Sequence, residues 1–335
     1  MLNSYSSRLA FILRSCLAVT LLITAVNAWG QITLEALGRA GYGMVPIQLP
    51  KPNLLVTPAT INGKKVKLIL DTGFSGEGIA LDSAHARKLG LGEGTEKSEG
   101  VSATGKRVAF AKGGSGSVLL GNAQIEGVPI FFANMEGLRN WGSFQTGSHI
   151  NRDSSLVADG FLSAGFLRTC SAVVDLHNRR LYLRPPGTGR RVALGPALTG
   201  LGLAAVPFTQ AGGDCVTEVE INGAPARMIM DTGATLTSVD SQFAVQMKAS
   251  RQYSGFDSRD IAGVKTEASQ TSQTPVRSFK IAGVQVRAPE VQVKKLACYS
   301  ASGGKVVGFL GMDILGQNWS IIDFGEQKLY IAAAR

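Results

Sequence analysis

Cysteine and histidine, the side chains that build most disulfide frameworks and zinc sites, are scarce in this sequence. The chain has 335 residues but only four cysteines and three histidines. No CxxC pair occurs, and His85, His149 and His177 lie far apart, which is unlike the spacing of metal ligands. We therefore predict that the protein has no metal site.

The cysteines beyond the first 28 residues are Cys170, Cys215 and Cys298. An odd number excludes a complete disulfide framework. Cys215 and Cys298 belong to the same half of the chain and could pair in an oxidising compartment. Separate buried thiols are an equal alternative.

Aromatic residues are also few, at 7%, and charged residues make up 17% of the chain. The net charge is +10, but no run of Lys or Arg exceeds two residues and aromatic residues do not alternate with them. This pattern argues against a nucleic-acid surface. What is abundant is glycine, with 41 residues between short apolar runs, which predicts strands and tight turns.

The N-terminus has the pattern of an export signal. Arg8 and Arg14 provide the positive start, an apolar run covers 16–26, and small residues precede a cleavage point after Ala28. We predict a signal peptide at 1–28 and a periplasmic or extracellular location. The alternative is an uncleaved anchor, the only case in which we expect membrane association.

The sequence contains an internal duplication. Asp71 and Asp231 each begin an Asp-Thr-Gly triplet, and each triplet follows a strand, an Asn-Gly turn and a second apolar strand. Farther along, 160–167 matches 308–315, and the match continues to a closing hairpin in each half. We predict an N-terminal lobe at 29–186, a linker at 187–204 and a C-terminal lobe at 205–335. Residues 29–50 are either the first strand of the first lobe or a removable segment.

The pattern apolar-apolar-Asp-Thr-Gly, followed downstream by apolar-apolar-Gly, resembles the retropepsin and pepsin clan of aspartic peptidases over about residues 45–333. Two lobes in one chain is similar to pepsin, whereas Ala234 and the short lobes are more similar to retropepsins. The resemblance implies an all-β fold with short helices, in which two homologous lobes form a bilobal acid-protease barrel. Because both triplets lie in one chain, we expect a monomer.

The resemblance also implies a reaction. Asp71 and Asp231 would share one proton and one water, and that water would attack a peptide bond without a covalent intermediate and without a cofactor. An ionisable side chain that follows a buried strand is costly unless it is paired or used, which favours this interpretation. The expected substrate is a polypeptide.

Supporting residues are carried over from the same resemblance. Thr72 and Thr232 would hydrogen-bond across the lobe interface, and Gly73 and Gly233 would leave room for N–H groups beside the carboxylates. Gly160 and Gly308 would let the apolar-Gly segments pass beneath the active loops. A glycine-bounded hairpin would cover the cleft as a flap; its residues are Gly100, Val101, Ser102, Ala103, Thr104 and Gly105.

The flap has a predicted counterpart near 262–264, and the first lobe departs from the family pattern. The flap lacks the Tyr found in pepsin, Phe74 is bulkier than the usual residue after the triplet, and Ser163 stands where the second lobe has Gly311. The other aspartates are predicted to serve as caps and turns: Asp82, Asp175, Asp240, Asp313 and Asp323. The rival interpretation is a catalytically silent, retropepsin-like peptide-binding or scaffold protein.

Overall fold

The structure is a computed structural model that describes residues 35–49, 54–92, 94, 96–103, 105, 107–135, 158–248, 253–259, 265–288 and 290–334. The predicted signal peptide at 1–28 and the flap counterpart near 262–264 lie outside the described residues. None of the helices in the described part of the chain has the length and apolar character that a membrane-spanning helix needs.

Strands dominate both halves of the chain, and most are short. In the first half they are β1 (Gly43–Pro46), β2 (Val56–Ile61), β3 (Lys64–Asp71), β4 (Ile79–Asp82), β5 (Lys97–Val101), β6 (Arg107–Leu120), β7 (Ala123–Ala133), β8 (Gly160–Ser163), β9 (Val173–Asp175) and β10 (Arg180–Leu183).

The second half repeats this pattern. Its strands are β11 (Leu203–Pro207), β12 (Thr209–Ala211), β13 (Asp214–Ile221), β14 (Ala224–Met230), β15 (Ser238–Asp240), β16 (Tyr253–Arg259), β17 (Lys265–Pro275), β18 (Phe279–Ile281), β19 (Val284–Gln285), β20 (Glu290–Lys294), β21 (Val306–Leu310), β22 (Ser320–Asp323) and β23 (Lys328–Ala332).

Helices are short and connect the strands. Besides a helical segment at 35–39, they are α1 (Ser83–Lys88), α2 (Ala164–Thr169), α3 (Gly195–Gly200), α4 (Ser241–Gln246), α5 (Ala297–Ala301) and α6 (Met312–Leu315). The predicted mainly-β fold with two similar lobes is confirmed.

Each lobe is built around one sheet that carries an Asp-Thr-Gly loop. The first sheet has the order β2-β3-β8-β4-β7-β6-β5, and β2 also pairs with β6, which closes the sheet on itself. The second has the order β16-β17-β20-β15-β21-β14-β13-β18-β19, with β12 beside β13. In both sheets the strand before the triplet pairs in parallel with the apolar-Gly strand, β3 with β8 and β14 with β21.

Asn-Gly turns fix the hairpins that lead to the triplets. Asn62 and Gly63 have φ values of 47° and 79°, and Asn222 and Gly223 have 51° and 86°. Two successive positive φ angles define the type I′ turn, which matches the twist of the flanking strands and favours Asn-Gly. The two hairpins therefore have the same register, and the two aspartates end equivalent strands.

A third sheet joins the lobes. Its order is β1-β10-β9-β22-β23-β11, so each half contributes three strands. At its centre β9 and β22 are antiparallel, with Val174 opposite Ile322. The lobes are thereby related by an approximate two-fold axis, which turns the triplet of one lobe toward that of the other.

Four of the five other aspartates have the local roles predicted for them. Asp82 and Asp240 cap α1 and α4 by accepting N–H hydrogen bonds of 3.0 and 2.8 Å, and Asp175 and Asp323 hold turns. The prediction was wrong for Asp313, which accepts from both the N–H and the hydroxyl of Thr237 at 2.8 and 2.7 Å. It therefore fixes the end of the segment that follows the second Asp-Thr-Gly triplet.

The role expected for Gly160 and Gly308 also needs correction. A Cβ at Gly160 would overlap the carbonyl oxygen of Ala80, and one at Gly308 would overlap that of Ser238. The close approach is therefore to the neighbouring strands β4 and β15, because β8 and β21 each lie between two strands. The active loops themselves are not what these glycines accommodate.

The connection between the halves is packed against the central sheet. The segment predicted as a linker contains α3 and the start of β11, and its Leu198 is buried with Leu194 in a cluster on that sheet. Gly43–Pro46, within the segment of undecided role, pairs with β10 as an edge strand. Cys170, Cys215 and Cys298 are free thiols, so Cys215 and Cys298 do not form a disulfide in this structure.

Candidate active site

The two Asp-Thr-Gly loops meet at the seam between the lobes. Asp71 and Asp231 are 3% and 0% exposed, and their carboxyl groups are in hydrogen-bonding contact. A Cβ at Gly73 would lie 2.6 Å from Asp231 Oδ2, and a Cβ at Gly233 the same distance from Asp71 Oδ2. Each glycine thus leaves the space that the aspartate of the other lobe occupies. This contact requires glycine more strictly than does the predicted approach of N–H groups to the carboxylates.

Thr72 and Thr232 lock the loops together. The hydroxyl of Thr72 accepts the N–H of Thr232 at 3.0 Å and donates to the carbonyl of Met230 at 2.8 Å. The hydroxyl of Thr232 accepts the N–H of Thr72 at 3.1 Å and donates to the carbonyl of Leu70 at 2.7 Å. All four bonds cross the interface, as the sequence predicts for these threonines.

Backbone N–H groups orient the carboxyl groups. Asp71 Oδ1 accepts from Gly73 and Phe74 at 2.9 and 3.0 Å. Asp231 Oδ1 accepts from the N–H groups of Gly233 and Ala234 at 2.8 and 3.0 Å. Each carboxyl group is therefore held in a fixed orientation by two backbone N–H groups of its own loop.

The contact between the two carboxyl groups requires a proton. Asp231 Oδ2 is buried, and no N–H or neutral hydroxyl among the described residues donates to it. The Asp71 carboxyl neighbours that of Asp231, and two ionised carboxylates can only accept hydrogen bonds. A hydrogen bond between Asp71 and Asp231 therefore forms only when one of them is protonated.

Burial and mutual repulsion favour that protonated state. Burial, then the charge of Asp231, raise the pKa of Asp71 well above its ordinary value. Burial also raises the pKa of Asp231 to about 6, although the N–H of Gly233 and the charge of Lys294 act in the opposite direction. The carboxyl pair titrates as a unit, since each group senses the charge of the other.

A cleft of about 480 Å³ opens above the pair, with an aromatic wall on the side of the first lobe. Phe74 stacks on Phe110 with ring centroids 5.8 Å apart and lies 6.3 Å from Phe161. The bulk of Phe74, a departure from the family pattern, therefore fills one side of the cleft. Ser163, the other departure, caps α2 and donates to the carbonyl of Gly78 at 2.7 Å.

Comparison with protein families agrees with this geometry. The family model for aspartyl proteases matches residues 57–151 and 217–314, one match in each lobe. The chain belongs to the aspartyl protease family. Each matched region contains one triplet, so the family resemblance and the internal duplication describe the same two units. No curated protein matches the chain.

In this aspartyl protease the predicted flap forms a hairpin over the cleft. β5 and β6 pair with Val101 opposite Arg107, and Gly100, Val101, Ser102 and Ala103 line the cleft. Gly105 takes a φ of 91° in the turn, and Thr104 lies outside the described residues.

The tip of the flap reaches the second lobe. The carbonyl of Ala103 accepts the N–H of Ala297, at the start of α5, at 2.9 Å. Ala103 also packs beside Leu296 and Phe309 in an apolar cluster of the second lobe. The first lobe therefore closes the cleft by contacting the second, and the described flap is in a closed position.

Several residues that line the cleft were not predicted from the sequence. Phe110 and Asp214 come from β6 and β13, and Cys298 comes from α5. The duplication contained a signal for Asp214, because it precedes Asp231 by the same interval that separates Leu54 from Asp71. No comparable signal marked Phe110, since its position depends on how the flap folds over the cleft.

Proposed function

We propose that this protein is an exported aspartic endopeptidase that hydrolyses peptide bonds through a water shared by Asp71 and Asp231. The observation that carries the proposal is the contact between two carboxyl groups at the seam of the lobes, each held by two backbone N–H groups. A scaffold protein has no evident use for such a pair, because two buried carboxylates repel each other unless a proton is held between them.

The proposed reaction follows from the shared proton. The ionised carboxylate takes a proton from the water, and the oxygen of that water forms a bond to the peptide carbonyl carbon. The protonated carboxyl group donates to the carbonyl oxygen, which gains negative charge as the tetrahedral intermediate forms. Transfer of a proton to the amide nitrogen then breaks the C–N bond. The amine leaves, and the pair again holds one proton.

The cleft is suited to an extended polypeptide. It runs between the lobes, and residues 100–103 of the flap line it. A covered cleft also limits bulk water, which strengthens the electrostatic effect of the pair. We therefore propose an endopeptidase that needs several substrate residues on each side of the cleaved bond.

The test of catalysis uses a peptide-library digest with matched variants. Asp71→Asn and Asp231→Asn should each lower kcat/KM by roughly a thousandfold or more, because each removes one proton carrier. Asp323→Asn is the control: the same change lies outside the cleft, in a turn where Asp323 Oδ1 accepts the N–H groups of Gly325 and Glu326, and the side-chain oxygen of Asn can accept the same bonds. A wild-type protein that binds peptides but cleaves none supports the silent scaffold instead.

Export is a separate part of the proposal, supported by the charge and apolar pattern of the first 28 residues. Expression of the full chain in a bacterium, followed by cell fractionation and N-terminal sequencing, tests it. The expected result is a periplasmic or secreted protein that begins after Ala28. A full-length protein in the membrane fraction supports the uncleaved anchor.

A further inference from the structure

One acidic side chain in the cleft has no role in the reaction proposed above. β13 and β14 pair so that Val216 lies opposite Ile229. Asp214 and Asp231 each lie two residues beyond this pair along their segments, so side-chain alternation returns both of them to its face. Residues directly opposite in an antiparallel pair project from the same face of the sheet. Asp214 therefore projects on the face of Asp231, and it lines the cleft together with Ile229.

Asp214 lacks a counter-charge within the described part of the chain. Burial, followed by the charge of Asp231, raises its pKa to about 6, and no cation opposes these two effects. The titratable or charged groups around it are Asp231, the thiols of Cys215 and Cys298, and Arg168 of α2, whose charge acts on Cys215. A partly buried carboxylate without a partner carries a desolvation cost that a bound cation would offset.

The fold itself does not require an acid at this position. In the first lobe Val56 lies opposite Ile69, and the same register brings Leu54 opposite Asp71. Leu54 is 5% exposed and packs in an apolar cluster with Val56 and Ile69. The two halves of the duplication thus differ in charge at equivalent positions. Asp214 places a carboxyl group on the side of the second lobe, where the first lobe has the apolar Leu54.

The rest of the cleft strengthens this difference. The charged residues that line the cleft are all acidic, namely Asp71, Glu99, Asp214 and Asp231. The whole protein, in contrast, has a net charge of +10. Glu99 has a side chain that is 58% exposed and pairs with Arg107 at 2.8 Å. Beyond the catalytic pair, Asp214 is therefore the lining acid whose charge is not already balanced by an ion pair.

We propose that Asp214 is a specificity-determining residue that binds a Lys or Arg side chain of the substrate close to the cleaved bond. This rests on the proposed function. A basic side chain replaces the missing counter-ion, whereas a neutral one leaves a desolvated carboxylate unpaired and an acidic one is repelled. The substrates are then peptides with a basic residue on one side of the cleaved bond and an apolar or aromatic residue against the Phe74 wall.

The experiment compares pairs of fluorogenic peptides that differ only by Lys or norleucine, a neutral side chain of similar length, at one position flanking the cleaved bond. Wild type should favour Lys by roughly tenfold or more in kcat/KM. Asp214→Leu, which copies Leu54, and the isosteric Asp214→Asn should both bring this ratio close to one. Glu99→Gln removes the other lining acid outside the catalytic pair and should keep the wild-type ratio.

The pH dependence of the ratio provides a second readout. Both peptides depend on the catalytic pair, so the comparison of wild type with Asp214→Asn separates the titration of Asp214 from that of the pair. The preference for Lys should decline as the pH falls through about 6 in wild type, and the ratio should stay flat in Asp214→Asn. Variant folding is checked by thermal unfolding.

The outcomes separate the two proposals. A wild type that cleaves neither peptide contradicts the proposed function and, with it, this inference. A wild type that cleaves both peptides equally well contradicts the role of Asp214 alone. A Lys preference that survives in Asp214→Asn, or that is lost in Glu99→Gln, also overturns the assignment.

Discussion

Thr72 and Thr232 hold each other's loops through reciprocal hydrogen bonds, each hydroxyl accepting the N–H of the other threonine at 3.0 to 3.1 Å. Each hydroxyl also donates to the carbonyl of the residue that precedes the opposite aspartate. Both residues are fully buried. The spacing of Asp71 and Asp231 is therefore set by bonds between the lobes, in addition to the fold of each lobe.

Replacing Thr232 by Val tests this arrangement. The change keeps the shape but leaves the N–H of Thr72 and the carbonyl of Leu70 unpaired in a buried interface. We expect a loss of about 2–4 kcal/mol in the free energy of unfolding, with a large fall in kcat. Thr232→Ser keeps the hydroxyl and should retain most activity. Denaturant unfolding measures the effect, and equal destabilisation by Val and Ser would contradict the role of the hydroxyl.

Gly73→Ala should separate the carboxyl groups of Asp71 and Asp231. The new Cβ would overlap the Asp231 carboxyl, so one loop must move. We expect kcat to fall by roughly a hundredfold or more, because misplacement of a reacting group by about 1 Å has an effect of that size. Gly92→Ala is the matched control, since a Cβ there has no neighbour within 4 Å. Equal activity of the two variants would contradict the close facing of the carboxyl groups.

The flap contact between Ala103 and Ala297 can be removed without breaking α5. Ala297 is the first residue of that helix, where proline is tolerated, and Leu296 before it is extended, as proline requires. Ala297→Pro deletes the N–H and should raise KM by about two- to tenfold, which corresponds to the net contribution of one hydrogen bond. We expect kcat to be preserved. Ala297→Gly keeps the N–H and should behave as wild type. Faster hydrogen exchange in residues 100–103 of the proline variant would accompany the change.

Asp214 should also affect stability in a pH-dependent way. Its pKa is raised from 3.8 to about 6 in the folded protein, so the folded state binds more protons than the unfolded state between these values. Stability therefore falls as the pH rises through this window. Asp214→Asn removes the cost and should stabilise the protein by about 1–2 kcal/mol above pH 6, a figure reduced for partial exposure. The gain should vanish near pH 4; a gain independent of pH would contradict the shift.

The parts of the site that follow from the duplication could be predicted from the sequence. Asn-Gly turns dictate the hairpins locally, and two copies of the triplet on equivalent strands imply that Asp71 and Asp231 meet. The reciprocal role of Thr72 and Thr232 follows from the same symmetry together with the family resemblance. These features depend on local turn chemistry and repetition, both of which are visible in sequence.

Features that depend on the difference between the lobes could not be predicted in this way. Asp214 and Leu54 occupy equivalent positions, but only the strand register reveals that one of them is a charge in the cleft. Asp313 has the appearance of a helix cap, and its bonds to Thr237 arise from tertiary packing. The helix in the predicted linker has weak sequence signals and depends on the burial of Leu198 against the central sheet.

The shared proton is tested most directly by titrating the side-chain carboxyl carbons of aspartate with ¹³C NMR, using Asp71→Asn and Asp231→Asn to assign the pair. The account predicts that the pair titrates in two coupled steps, with one carboxyl group staying protonated well above the ordinary pKa of 3.8. It also predicts that either substitution alters the titration of the remaining aspartate. Two independent titrations near pH 3.8, each unaffected by the other substitution, would contradict it.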